Sequence, residues 1–179
     1  MSNNWMETAS GGRVDLVDLD LNTYVLEDMA RSLAGKCRFN DQTMDFMHIS
    51  VAEHSVRVCD VLPDHLRLFG LAHDMHEGIT GDITRPVKRL LPDFRAFELT
   101  IQADVMTAFC GRMPNYDEWQ IINTADRRMG VTEAGVVLSG RGLDWDMREE
   151  YPPYPQVTIE CWDTRTAYRN FIERFKELA

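Results

Sequence analysis

The chain has 179 residues with 44% hydrophobic side chains, enough for one domain with a real core and too apolar for a disordered segment. Its formal net charge of −10 argues against a nucleic-acid polymer as partner, since such binders concentrate Lys and Arg, while a few local cations can still hold a small anion. No apolar run approaches membrane-spanning length and the polar start, Met1-Ser-Asn-Asn-Trp-Met-Glu-Thr, lacks the apolar core of a secretory signal, so a soluble cytoplasmic protein with no membrane partner is expected.

Residues 11–22 alternate imperfectly between apolar and acidic side chains and predict a short strand or extended ribbon. Val25, Met29 and Leu33 recur at helical spacing and predict a helix over 24–34 that Gly35 ends. Residues 36–48 read as a loop. Ser50 and Glu53, three apart, have the capping-box form and open a helix to about Leu62, with His54 near its first turn. After Pro63 a helix is predicted from Asp64 to Glu77, with Leu66, Phe69 and Leu71 as its apolar surface. Residues 78–84 read as a loop in which Gly78 and Gly81 supply unusual backbone angles, and Thr84 as the cap of a short helix over 86–90.

A helix is predicted over 94–109, broken by Gly111-Arg-Met-Pro, and another over 117–138, where Gly130 and Gly135 mark a kink or close packing. Residues 139–161, rich in Gly, Pro, Trp and Tyr, read as irregular, with Trp145, Tyr151 and Tyr154 open to a role as a lid or a subunit contact. A final helix over 163–178 carries Tyr168, Phe171, Ile172 and Phe175 as its core stripe. The expected architecture is an all-α helical bundle, one domain over 1–179, with a small N-terminal extended ribbon.

One group of residues carries chemistry. His54 comes from one helix, the adjacent pair His73-Asp74 from the next, and Asp126 from a third. Neighbours on a helix point about 100° apart, so His73 and Asp74 share an ion only if it sits over the groove between them. Two imidazoles and two carboxylates form a mixed nitrogen–oxygen set suited to a borderline divalent transition metal. Glu77, four residues after His73 on the same predicted helix face, is free to act as acid or base. A lone His-Asp pair means little, but four ligand-type residues in order with Glu77 are hard to assign to chance. His76 stands as a minor supporting candidate, whereas His48 and His65 read as satisfied or exposed histidines. Cys37, Cys59, Cys110 and Cys161 are scattered without a Cys-x-x-Cys pair, which suggests inert thiols and neither a structural zinc site nor a disulfide framework.

The string His73-Asp-x-x-Glu-x-x-Thr-Gly-Asp-x-x-x-Pro-Val-Lys88, with Glu53-His-Ser upstream and Asp126 downstream, resembles the bacterial 5'-deoxynucleotidase branch of the HD-domain phosphohydrolases. Cys37-Arg-Phe-Asn and Pro86-Val-Lys-Arg-Leu-Leu-Pro-Asp-Phe resemble phage and prophage members, some of which hydrolyse dATP to the nucleoside and tripolyphosphate. The resemblance runs from about Leu26 to about Val131. It implies an HD-type helical bundle in a bacterial or phage-infected cytosol, acting on a small nucleotide and forming a homo-oligomer. It also implies one divalent metal (Co, Mn, Zn or Fe class, or Mg²⁺ with a triphosphate) on His54, His73, Asp74 and Asp126. Glu77 and Asp82 would be catalytic. Arg38, Phe39 and Lys88 would bind substrate, with Phe39 standing where relatives commonly have Trp. Arg85, Lys88, Arg89, Arg127 and Arg128 form a cationic group that favours a longer phosphate chain. The alternative is a non-catalytic HD-fold regulator that binds a nucleotide or a protein, from which loss of a ligand or of Glu77 is expected.

Overall fold

In the computed structural model, which describes residues 4–18, 20 and 23–179, the chain opens with β1 (Trp5–Glu7) and β2 (Arg13–Asp15), paired antiparallel with Met6 opposite Val14. The turn between them needs Gly11, whose φ of +83° lies in the left-handed region. Val14 is buried, and the Arg13 guanidinium covers the Trp5 ring at 4.1 Å. β2 falls inside the expected ribbon, whereas β1 lies before it. Residues 19, 21 and 22 of that ribbon lie outside the described residues.

The rest is helical: α1 (Leu26–Gly35), α2 (Val51–Val61), α3 (Arg67–Ala72), α4 (Glu77–Thr80), α5 (Arg85–Leu90), α6 (Pro92–Cys110), α7 (Tyr116–Val137), α8 (Met147–Glu150) and α9 (Thr164–Leu178). Each end has a local cause. Ser50 accepts the Glu53 backbone N–H at 3.1 Å and caps α2. Only half of the expected capping box forms, because the Glu53 side chain turns inward and accepts the backbone N–H groups of Glu160 and Trp162 at 3.0 and 2.7 Å. Gly111, at φ +76°, closes α6. Asp163 caps α9 through the Arg165 and Thr166 N–H groups.

Three boundaries differ from expectation. The helix predicted over 64–77 is divided: a 3₁₀ turn spans Asp64–Leu66, α3 ends at Ala72, and α4 begins at Glu77. The linking turns carry three-residue bonds, Met75 N–H to Ala72 O at 3.0 Å and Glu77 N–H to Asp74 O at 3.0 Å, which tighten the chain beyond α-helical pitch. His73 and Glu77 therefore do not share one α-helical face. Gly78 lies within α4 rather than a loop, and a Cβ there would meet the Met29 side chain at 3.2 Å, so close packing is its reason. α7 runs unbroken through Gly130 and Gly135, and at Gly135 no neighbour lies close enough to require glycine. Thr84 sits at the start of α5 without a side-chain capping bond.

Two apolar clusters meet at α2. On one side Val51, Ala52, Val56 and Cys59 pack with α1, α6 and α9, where Leu33 and Phe171 are fully buried. On the other, Val58 and Leu62 pack with Ile122, Ala125 and Met129 of α7. Burying a side chain of Phe171's class contributes about 1.5–3 kcal/mol. α2 is thus enclosed on nearly all sides, yet Glu53, His54 and Ser55 on it are polar and completely buried. Buried polar groups need partners, and those of His54 define the site. Among the described residues, no helix is long and apolar enough to cross a membrane.

Candidate functional site

α2, the turn after α3, and α7 converge so that one ligand atom each from His54, His73, Asp74 and Asp126 lies within 4.8 Å of the others. His54 Nε2 stands 3.2 Å from Asp126 Oδ1 and 3.6 Å from Asp74 Oδ2, and His73 Nε2 stands 3.2 Å from Asp74 Oδ2 and 4.0 Å from Asp126 Oδ1. Bonds of about 2.0–2.2 Å to a shared cation put neighbouring donors roughly 3.0–3.6 Å apart, so the four groups need only slight contraction to close on an ion. The arrangement could hold one metal ion.

The far sides of the imidazoles fix which nitrogen faces inward. His54 Nδ1 lies 2.6 Å from Glu133 Oε1, and His73 Nδ1 lies 2.7 Å from Gly70 O. An ionised carboxylate and a carbonyl can only accept, so each Nδ1 carries a proton and each ring turns its Nε2 to the cluster, where a bound cation would take the lone pair. Both Nε2 atoms are buried without a hydrogen-bond partner. The Gln102 amide donates to the His73 carbonyl at 2.8 Å and steadies that turn. Burial and the Arg38 guanidinium press His54 toward neutrality, yet the Glu133 charge, the Asp126 carboxylate 3.2 Å from Nε2 and the Nδ1 bond to Glu133 carry its pKa up to about 9, so a cation at Nε2 competes with a proton there. Burial opposes ionisation of Asp74, but His73 and His54 hold its carboxyl well below the usual range.

Glu133 is the principal residue that sequence reasoning missed. It is fully buried and accepts from both His54 Nδ1 and Arg38 Nε, the latter at 2.8 Å. Arg38 is thereby drawn inward, with Nη1 3.8 Å from Asp74 Oδ2, so its first partners are carboxylates of the site. Two sequence signals mark Glu133: it is the one acid in Val131-Thr-Glu-Ala-Gly-Val-Val, and it lies two helical turns beyond Asp126, on the same face of α7. Asp126 divides its oxygens, Oδ1 toward His54 and Oδ2 toward Arg85 Nη2 at 2.7 Å.

A second group flanks the first. Glu77 is buried, and one of its oxygens falls within 4.8 Å of ligand atoms on Asp74 and His76. Lys88 Nζ reaches Glu77 Oε1 at 3.3 Å and Glu98 Oε1 at 2.7 Å, while Glu77 Oε2 has no hydrogen-bond partner. Burial, then the Asp74 and Asp82 charges, raise the Glu77 pKa well above the ordinary range against the pull of Lys88 and Arg38. Glu98, also missed, lies 3.6 Å from His76 Nε2 and sits acidic between Phe97 and Leu99. Burial likewise raises the Asp82 pKa, against the Arg38 charge.

Phe39 packs at the rim with its ring centroid 6.3 Å from that of Trp145. Arg127 and Arg128 are engaged elsewhere, Arg127 Nη1 with Tyr151 Oη at 3.2 Å and Arg128 Nε with Pro152 O at 2.8 Å, and each stacks on a tyrosine, Tyr151 or Tyr154. This withdraws them from the cationic group read in the sequence and ties Tyr151 and Tyr154 to α7. His65 is exposed, whereas His48 encloses an Nε2 without a partner, contrary to the satisfied or exposed histidine expected there.

No protein-family model matches the chain. Its sequence is similar to that of YfdR, an uncharacterized protein of Escherichia coli (strain K12), with 30% identity over 176 residues that cover 98% of this chain and 96% of YfdR. It is also similar to RCAP_rcc00048, an uncharacterized protein of Rhodobacter capsulatus, with 37% identity over 95 residues, 49% of this chain and 48% of that protein.

Proposed function

The chain belongs to the family of Escherichia coli YfdR, and we propose that it is an HD-type, metal-dependent phosphohydrolase acting on deoxynucleotides. The observation that supports this reading is the convergence of His54, His73, Asp74 and Asp126, with both Nδ1 atoms tied back and both Nε2 atoms without a hydrogen-bond partner among the described residues, beside a buried acid outside that set of four. A divalent ion of the Co, Mn, Zn or Fe class held there would polarise a phosphoryl oxygen and lower the pKa of bound water.

The protein's own groups supply the remaining chemistry. Glu77 Oε2 takes a proton from the attacking water as its oxygen bonds to phosphorus, and returns it to the oxygen leaving phosphorus. The raised Glu77 pKa makes its carboxylate a stronger base for the first half of that exchange. Lys88, itself paired with Glu98, holds Glu77 Oε1, leaving Oε2 as the working atom. Arg38 and Lys88 offset charge on the substrate's phosphate, Phe39 lies against its sugar or base, and Asp82 accepts a sugar hydroxyl.

The test is turnover of dAMP and dATP side by side with Mn²⁺ or Co²⁺, with a chelator control and chromatography of the products. Metal-dependent release of phosphate from dAMP, or of tripolyphosphate from dATP, is expected and identifies the substrate. Binding of either nucleotide without metal-dependent release would overturn the assignment in favour of a non-catalytic module.

A further inference from the structure

We propose that the loop between α1 and α2 is a second transition-metal site, formed by Cys37 Sγ, an Asp41 carboxylate oxygen and an imidazole nitrogen of His48. One donor atom of each lies within 4.8 Å of the other two. None of the three belongs to the His54–Asp126 cluster, so the inference stands apart from the phosphohydrolase reading.

The backbone is shaped to bring them together. Cys37 and Ser50 pair as an isolated antiparallel bridge, with Arg38 N–H to Ile49 O at 2.9 Å and Val51 N–H to Lys36 O at 3.0 Å, and this closes the neck of the loop. Inside it Phe39, Asn40 and Asp41 take φ of +58°, +53° and +59°, three successive non-glycine residues in the left-handed region, and Asp45 and Phe46 do so again. That doubling back returns Asp41 to Cys37. Non-glycine residues hold such angles only where their surroundings over-determine them. Here the Gln42 N–H donates to Phe39 O at 3.1 Å, the Met47 N–H to Met44 O at 2.9 Å and the Thr43 hydroxyl to Met47 O, and the Cys37 thiol is hydrogen-bonded to Asp41. A cation bridging positions 37, 41 and 48 would add to these constraints. His48 Nε2 adds an independent sign, being buried without a hydrogen-bond partner.

The donor set fixes the class of ion. Thiolate, imidazole and carboxylate favour Zn²⁺ or Co²⁺ over Mg²⁺ or Ca²⁺, and three protein donors leave a fourth position for water. Binding displaces the Cys37 thiol proton to solvent and forms the sulfur–metal bond. Because Arg38 and Phe39 sit on the same loop, the ion would fix both against the His54–Asp126 cluster. The spacing Cys-x₃-Asp-x₆-His matches no common zinc pattern, so the three residues do not stand out as a ligand set in the sequence.

The test is a Co²⁺ titration of the whole chain after chelator treatment, read by the near-ultraviolet thiolate-to-cobalt charge-transfer band. The His54–Asp126 cluster contains no sulfur, so this band reports the second site alone. The wild type is expected to develop the band and lose it on Zn²⁺ addition, while Cys37→Ser lacks it and binds one ion fewer per chain. Absence of the band at saturating Co²⁺, or its persistence in Cys37→Ser, overturns the proposal. Should that variant misfold, alkylation of the wild type decides: Zn²⁺ protects Cys37 from iodoacetamide, as read by peptide mass spectrometry, and an unprotected Cys37 refutes the site.

Discussion

The two ends of α7 carry the same chemical group in opposite settings. At its exposed N-terminus Asn115 accepts the Glu118 N–H at 3.0 Å and Glu118 accepts the Asn115 N–H at 2.8 Å, while Arg112 holds both Glu118 oxygens at 2.7 and 2.9 Å. Every partner lies within six residues, and water can replace each of them. Further along the same helix Asp126 and Glu133 face inward, and their partners come from α2, the loop before it and the start of α5: His54, Arg38 and Arg85. Around His54 and Arg38 water cannot substitute, so losing a partner there leaves a buried charge or an orphaned nitrogen, whereas Arg85 is half exposed. A carboxylate on this helix therefore matters in proportion to what could replace its partners, and not to the shortness of its bonds.

Substitution tests that contrast most strongly at Asp126. Asp126→Ala is expected to abolish retention of Mn²⁺ or Co²⁺ after dialysis and to lower turnover by about a thousandfold or more, as loss of several kcal/mol of charge stabilisation requires. Far-ultraviolet circular dichroism should change little, and full turnover in this variant would remove Asp126 from the site. Glu77→Gln is next: bound metal unchanged by elemental analysis, kcat lower by about a hundredfold, the usual scale for a general acid–base group. An unchanged rate excludes Glu77 from proton transfer. Glu133→Ala should weaken metal affinity by about ten- to a hundredfold by freeing the His54 ring. It should also cost about 3–5 kcal/mol in urea unfolding by leaving Arg38 buried with only the longer contact to Asp74. Glu133→Gln, which keeps an acceptor in place, should do less of both, and equal effects from the two would show that charge rather than shape holds Arg38.

The same distinction explains what could be read in advance. The helical periods and the apolar stripe of α9 are local properties, and they place the bundle correctly. His54, His73, Asp74 and Asp126 could be nominated because ligand-type residues stand at spacings that separate helices can bring together. The division of 64–77 was hidden because its residues suit α and 3₁₀ turns alike. The local pair Asn115 and Glu118 forms a capping box that was not read, and the expected helix began one residue late, at Asp117. Arg38 and Lys88 were read as substrate-binding cations, yet Glu133 and Glu98 meet them, and nothing near either cation in sequence names such a partner. The left-handed run at 39–41 contains no glycine, so its usual signal was absent.

The smallest effect belongs to the exposed end and has a pH signature. The Arg112 side-chain bonds, with the Asn115 N–H, depress the Glu118 pKa to about 2 from an ordinary 4.5. A carboxyl depressed in the folded state stabilises fully above its unfolded pKa, and the contribution fades as pH falls from there toward the folded value. Glu118→Gln should therefore lower the melting temperature by only about 1–3 °C at pH 7, the scale of a partly exposed ion pair in a chain of this size. The gap between variant and wild type should narrow as pH falls from 4.5 toward about 2. It should also shrink in high salt, where an exposed pair is screened. A gap that is the same at pH 7 and pH 3 would mean that Glu118 acts through the uncharged geometry of the cap, and its pairing with Arg112 would then contribute nothing to the stability of this end of α7.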